Sequence, residues 1–167
     1  MSVDFFGTDC SELPLNEKLF GICDDQDGTR AYTDTQLKDE WIATIKNDNQ
    51  IEVTFTAIDN CIIVLKKNTQ NKESSCDGML TFQNSIFLIE LKDHGTGGWL
   101  PTARNQLKNT VKLLHQNVSL VNFKYKKAYA CNKKHPTFIV IDNESSKKFF
   151  KETNGFRIDA QAEIIIK

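Results

Sequence analysis

Asp77, Glu90 and Lys92 are the residues of this chain whose types and spacing could do chemistry. They frame the segment Asp77-Gly78-Met79-Leu80-Thr81-Phe82-Gln83-Asn84-Ser85-Ile86-Phe87-Leu88-Ile89-Glu90-Leu91-Lys92, which reads as two strands around a turn. A turn centred on Gln83-Asn84 pairs residue 82 with 85, 81 with 86 and, at the far end, Asp77 with Glu90. Directly opposed residues have Cβ atoms about 4.5–5.5 Å apart on one face. Two carboxylates held that close need a shared proton or a cation. Because strand side chains alternate, Lys92 stands on the face of Glu90, one step along. A three- or five-residue loop would instead shift the pairing by one and send Asp77 to the other face. In the first register two oxygen ligands and an ammonium share one patch. Such a set suits Mg²⁺ or Mn²⁺ beside a lysine that orients water or stabilises a phosphate.

Those residues need a sheet and its cover to hold them. Thr33 and Gln36 form a capping box that predicts a helix to about Asn47, with Leu37, Trp41, Ile42 and Ile45 facing inward and Glu40 bordering that stripe. Ile51–Ile58 and Cys61–Leu65 read as a strand hairpin around Asp59-Asn60. The Cys76–Phe82 and Ser85–Lys92 pair follows, then a glycine-rich loop from Asp93 to Trp99. A helix is predicted from Pro101-Thr102 to about Gln116, with Leu107, Val111 and Leu114 inward. Strands are expected at Tyr125–Cys131, Thr137–Ile141 and Ala162–Ile166, and a short basic helix at Ser146–Glu152. The expected fold is therefore mixed α/β (α+β), a central mixed sheet flanked by helices. It forms one domain over residues 1–167: an irregular acidic lead over 1–32, a core over 33–131, and C-terminal strands with a short helix over 132–167.

Asp77, then Glu90-Leu91-Lys92, then a helix carrying Gln106, resembles the PD-(D/E)xK nuclease superfamily, whose core is helix, three antiparallel strands, helix, strand. The likeness runs from about Thr33 to Cys131. It implies a restriction-endonuclease-like core and a Mg²⁺-dependent phosphodiesterase, here a deoxyribonuclease. By that resemblance Asp77 and Glu90 bind the metal and Lys92 positions the attacking water. Glu40 on the preceding helix and Gln106 on the following one complete the catalytic set. The proline that often precedes the aspartate is Cys76 here, and the aromatic residue that some members place four after the glutamine is Thr110. The reaction so implied is in-line attack of water on a phosphodiester, with the cation neutralising charge that develops at phosphorus.

Charge is distributed to match. The formal net charge is −1. Residues 1–100, however, carry 8 basic and 17 acidic side chains, a balance of −9, whereas residues 101–167 carry 13 basic and 5 acidic, a balance of +8. The basic half holds Lys124-Tyr125-Lys126-Lys127, Lys133-Lys134-His135 and Lys147-Lys148 through Lys151, interleaved with aromatics, which could track a phosphate backbone. Lys126, Lys127 and Lys133 are thus candidate substrate contacts. So are His94, Gly97 and Trp99 in the loop beyond Lys92, where glycine admits a close backbone approach and Trp99 could stack on a base. DNA is expected ahead of RNA as partner. A homodimer or a protein partner is also compatible, and the alternative use of the fold is a catalytically inactive binding or regulatory module. Apolar runs are too short for a membrane span and the N-terminus lacks a signal-like pattern, so a cytoplasmic protein is expected. Cys10, Cys23, Cys61, Cys76 and Cys131 show no paired spacing and read as reduced thiols, with Cys61 and Cys131 as strand fillers. Cys23-Asp24-Asp25-Gln26-Asp27-Gly28 imitates a calcium loop but fails at both end positions.

Overall fold

The computed structural model describes residues 3–167. Nine strands and two α-helices follow the order β1 (Leu19–Cys23), β2 (Tyr32–Asp34), β3 (Ala43–Lys46), β4 (Thr54–Ala57), β5 (Gly78–Phe82), β6 (Ser85–Lys92), α1 (Trp99–Asn117), β7 (Tyr125–Asn132), α2 (Asn143–Glu152), β8 (Arg157–Ala160) and β9 (Glu163–Ile165). They build a five-stranded sheet, β4-β5-β6-β7-β8, and a four-stranded sheet, β2-β1-β3-β9. In the larger sheet β4, β5 and β6 form an antiparallel meander. Each of the next two strands, β7 and β8, lies parallel to its predecessor, and the connections that make this possible carry α1 and α2.

Side-chain alternation makes three layers. Met79, Ile86, Leu88, Ala128 and Ala130 point from the five-stranded sheet into a core with Ala103, Leu107, Val111 and Leu114 of α1 and Phe149 of α2. Leu80, Phe87, Ile89 and Cys131 point the opposite way, into a second core with Phe20, Ile22, Ile45 and Ile164 of the four-stranded sheet. The run Ile86-Phe87-Leu88-Ile89 is apolar throughout because β6 is covered on both faces. The mixed α/β class, the hairpin, both helices and the strand at Tyr125 agree with expectation.

Other expectations fail, each for a physical reason. The helix over 33–47 is absent. The Asp34 carboxylate accepts the backbone N–H of Gln36 (3.1 Å) and Leu37 (2.7 Å) and the Trp41 indole N–H (2.7 Å), which makes a turn followed by one 3₁₀ turn over Lys38–Glu40. Ala43 and Ile45 then alternate inward on β3, between β1 and β9, and Leu37 is 64% exposed. Trp41 lies on Gly21, where an added Cβ would meet its ring at 1.9 Å. The acidic lead over 1–32 is only partly irregular, since it contains β1, whose Phe20 and Ile22 are fully buried. Cys61–Leu65 does not pair with β4, because residues 10–15 already lie along that strand through bridges Ser11↔Thr56 and Leu15↔Val53. Thr137–Ile141 makes a single bridge, Ile139↔Ala160, and no strand.

The cysteine expectation also needs correction. Cys10 and Cys61 form a disulfide, spanning 51 residues and fastening the N-terminal segment to the turn after β4, while Cys23, Cys76 and Cys131 are free and buried. Reduction, or paired Cys10→Ser and Cys61→Ser substitution, is expected to lower unfolding free energy by about 2–4 kcal/mol. Denaturant melts with and without reductant check this, and the double variant should show no reductant effect.

Candidate active site

The hairpin register decides the site. Phe82 pairs with Ser85 and Gly78 with Ile89, so the ladder runs without a slip to the point where Asp77 faces Glu90. Both project to the helix side of the sheet, with Met79, Ile86 and Leu88. Asp77 is 7% and Glu90 2% exposed. Asp77 is pinned from three directions. Its Oδ2 accepts the Leu91 N–H at 2.7 Å, its carbonyl accepts the Ile58 N–H at 2.9 Å, and the preceding Cys76 N–H donates to Thr110 Oγ1 at 2.7 Å. Thr110 in turn donates to the Gln106 carbonyl at 2.8 Å within α1, so this one hydroxyl ties the helix to the residue before Asp77.

Gly78 allows this arrangement. A Cβ there would lie 2.5 Å from the Phe55 ring and 2.9 Å from the Thr56 carbonyl oxygen. Gly78→Ala is expected to destabilise the protein by about 1–3 kcal/mol through overpacking and to displace Asp77. Denaturant unfolding measures the first effect and divalent-cation binding the second.

Lys92 closes the cluster. Its Nζ lies 3.2 Å from Glu90 Oε1 and donates to Gln106 Oε1 at 2.7 Å. An ammonium has three donors, so one remains for a water or a phosphate oxygen. Glu90 Oε2, apart from a proton it can share with Asp77, has no hydrogen-bond partner among the described residues. Burial pushes both carboxyls above their ordinary range, and the charge of Asp77 pushes Glu90 further. Once that proton is lost, Oε2 becomes a buried acceptor without a donor, a costly state that a cation would relieve. Hard oxygen donors, two of them carboxylates, fit a divalent cation of the Mg²⁺ kind, which commonly takes one or two carboxylates and completes its shell with water and substrate phosphate. Among the described residues no three His, Cys, Asp or Glu side chains are grouped as a full cation cage. The thiols are unsuited to nucleophilic work. Burial raises those of Cys76 and Cys131 far above neutrality, and that of Cys23 to about 11.

The remaining candidates divide by place. Gln106 is in the cluster. Glu40 is exposed on the 3₁₀ turn rather than on a helix, and it is not among the charges that act on Asp77 or Glu90. The acid that does reach Asp77 is Asp24, directly after β1, whose charge raises the Asp77 pKa. Its only sequence signal was the acidic run after Cys23. His94 lies at the rim, its N–H and C=O held by the side chain of the fully buried Asn132 at 3.2 and 2.9 Å. Gly97 is exposed beside it. Lys133 is also at this end, its N–H donating to the Lys92 carbonyl at 2.9 Å. Trp99 is not available to stack on a base: it is buried in the helix-side core, its ring stacked on His135. Lys126 pairs in register with Ile86, four residues from Glu90 and six from Lys92, hence about 13 to 20 Å along the sheet from the cluster. It bonds the Asn154 carbonyl, and its neighbour Lys127 pairs with Asp159. Comparison with known proteins finds no family model, no curated protein and no solved structure that matches this chain.

Proposed function

We propose that this chain is a Mg²⁺-dependent nuclease of the PD-(D/E)xK type that hydrolyses phosphodiester bonds, with DNA as substrate ahead of RNA. The observation that carries the reading is the Asp77–Glu90–Lys92 cluster with the unpartnered Glu90 Oε2 at its centre. The succession of three antiparallel strands, a helix and a parallel strand from β4 to β7 agrees with that superfamily's core, although the helix expected before it is replaced by β2 and β3.

Asp77 and Glu90 would hold Mg²⁺ or Mn²⁺. A bound cation would supply charge neutralisation for the phosphodiester as it is attacked. Lys92, held by Glu90 and Gln106, directs its free donor at the attacking water or at a phosphate oxygen. Gln106 keeps that ammonium in one position, which is how a neutral side chain contributes to rate. Thr110, standing where an aromatic residue is common, locks the helix that carries Gln106 to the strand that follows Asp77. A homodimer would suit cutting of both strands of a duplex.

Among the described residues no helix is long and apolar enough to cross a membrane. A cytoplasmic site of action accords with a nucleic-acid substrate. In that compartment the Cys10–Cys61 bond is the part of the molecule exposed to reduction. The test is incubation of the purified chain with plasmid and with single-stranded DNA in Mg²⁺ or Mn²⁺. Cleavage abolished by chelation and by Asp77→Ala supports the proposal. No cleavage of any substrate, or cleavage untouched by Asp77→Ala, contradicts it and leaves the fold as a binding module.

A further inference from the structure

The outer surfaces of α1 and α2 meet in a small cleft of about 150 Å³ lined by Arg104, Asn105, Lys108, Ser145, Lys148 and Glu152. We propose that this cleft binds one phosphodiester group of the substrate strand, a contact that rests on the nuclease reading and says where the backbone runs. The cleft holds three cations and one acid. Lys108 is already paired with Glu152 at 2.7 Å. Arg104 and Lys148 form no ion pair among the described residues. Both also act on the Glu152 carboxylate, so the space is shared by three cations and one acid, a balance of +2. Its volume is that of about five waters, below the range of about 300 Å³ and upward usual for whole small ligands. A single anionic group fits.

Place distinguishes this cleft from the other basic surfaces. Arg104 and Lys108 flank Gln106 in sequence, two residues to either side, so they emerge from α1 on the side away from the Gln106–Lys92 contact. The cleft and the carboxylate pair are thus separated by about the width of one helix, roughly 10 Å. The wider basic cleft of about 580 Å³ on the other side of α2 is less suited. Its Lys127 pairs with Asp159 and its Arg157 lies over the Phe150 ring, which leaves Lys147 as its one cation not so engaged. Nor is the N-terminus of α2 the anion site, since Asp142 caps it by accepting the Ser145 N–H at 2.8 Å. Binding is therefore assigned to side-chain cations, with Arg104 offering the planar fork that matches phosphate.

The test uses the full chain in metal-free buffer, where strand cleavage does not compete, and a fluorescent DNA strand with its duplex as probes. Anisotropy gives Kd at salt concentrations between about 50 and 200 mM. Arg104→Gln with Lys148→Gln is expected to raise Kd about tenfold and to reduce the slope of log K against log salt by about 0.9 on the duplex, the value for one lost phosphate contact, and by about 0.7 on the single strand. Arg104→Lys with Lys148→Arg should restore both. Lys18→Gln with Lys46→Gln carries the same charge change on the four-stranded-sheet layer and should alter neither by as much. Equal slopes for the two Gln pairs, or no binding of either probe by the unsubstituted chain, overturns the proposal. Binding with the expected slope change but without cleavage when Mg²⁺ is added supports the cleft and removes the nuclease reading. The two failures are thus separable.

Discussion

Asp77→Asn and Glu90→Gln are expected to abolish metal-dependent cleavage and, in the absence of metal, to make the protein more stable at neutral pH. Both effects come from one cause. The two carboxyls are buried side by side, and burial raises each pKa, with the Asp77 charge adding to the rise at Glu90. A group whose folded pKa lies above its unfolded value stabilises the fold fully below the unfolded value, about 4 for a carboxyl. That stability is lost as pH rises through the folded value. The metal-free wild type should therefore lose stability on going from about pH 5 to pH 7.5. The amide variants, uncharged throughout, should lose less, ending more stable by on the order of 1–3 kcal/mol at the upper pH. Asparagine at 77 can still accept the Leu91 N–H and can turn its amide toward the unpartnered Glu90 Oε2. Activity falls because a neutral amide is a poor ligand for a hard cation. Thermal melts across that pH range, with and without Mn²⁺, measure the sign: added metal should stabilise the wild type and leave the variants unmoved.

Lys92→Ala should lose activity with the opposite effect on stability. Its side chain is 14% exposed and its ammonium lies against Glu90 at 3.2 Å, so its removal leaves a buried carboxyl without its cation. Breaking such a pair costs up to about 3 kcal/mol where Glu90 is ionised, and the loss should vanish as pH falls and the carboxyl, already pushed upward by burial, takes up a proton. The rate of cleavage should drop by on the order of 10²- to 10⁴-fold, the range for removing a positioned proton-handling or charge-stabilising group. Single-turnover cleavage with DNA prebound separates this from weaker binding: if Lys92 acts at the reacting group as proposed, Kd should change much less. Opposite stability shifts from Glu90→Gln and Lys92→Ala would be hard to obtain if the cluster were only a surface ion pair, where each partner contributes little.

How far these residues could be read from the chain depends on what holds each one. The Asp77–Glu90 juxtaposition was legible because it is local. The turn at Gln83-Asn84 is two residues long, Gln83 takes up the positive φ of 49°, and the fully apolar stretch of β6 leaves little freedom of register. Lys92 follows by alternation, and Gln106 by the helical period of α1 against Leu107, Val111 and Leu114. Glu40 could not be read in this way. Trp41, Ile42 and Ile45 suit a helix stripe as well as a turn followed by a strand. What decides between them is pairing with β1 and with β9, more than 110 residues further along. The same non-local contacts bring Asp24, the residue after β1, to Asp77, and the competition for the free edge of β4 displaces Cys61–Leu65 from the sheet. The Cys10–Cys61 bond belongs with these, because no spacing rule marks two cysteines that the N-terminal segment brings together. Lys126 and Lys127 were misplaced for a related reason. Their basic character was plain, but the parallel register of β6 with β7 puts them at the end of the sheet away from Lys92.

Titration of the metal-free protein with Mn²⁺, followed by the loss of the free ion's paramagnetic resonance signal, tests the carboxylate pair most directly. One saturable Mn²⁺ per chain, released by excess Mg²⁺ and lost in Asp77→Asn and in Glu90→Gln, is the expected result. No binding up to millimolar Mn²⁺, or binding unchanged in both variants, would contradict the assignment of Asp77 and Glu90 as the cation site.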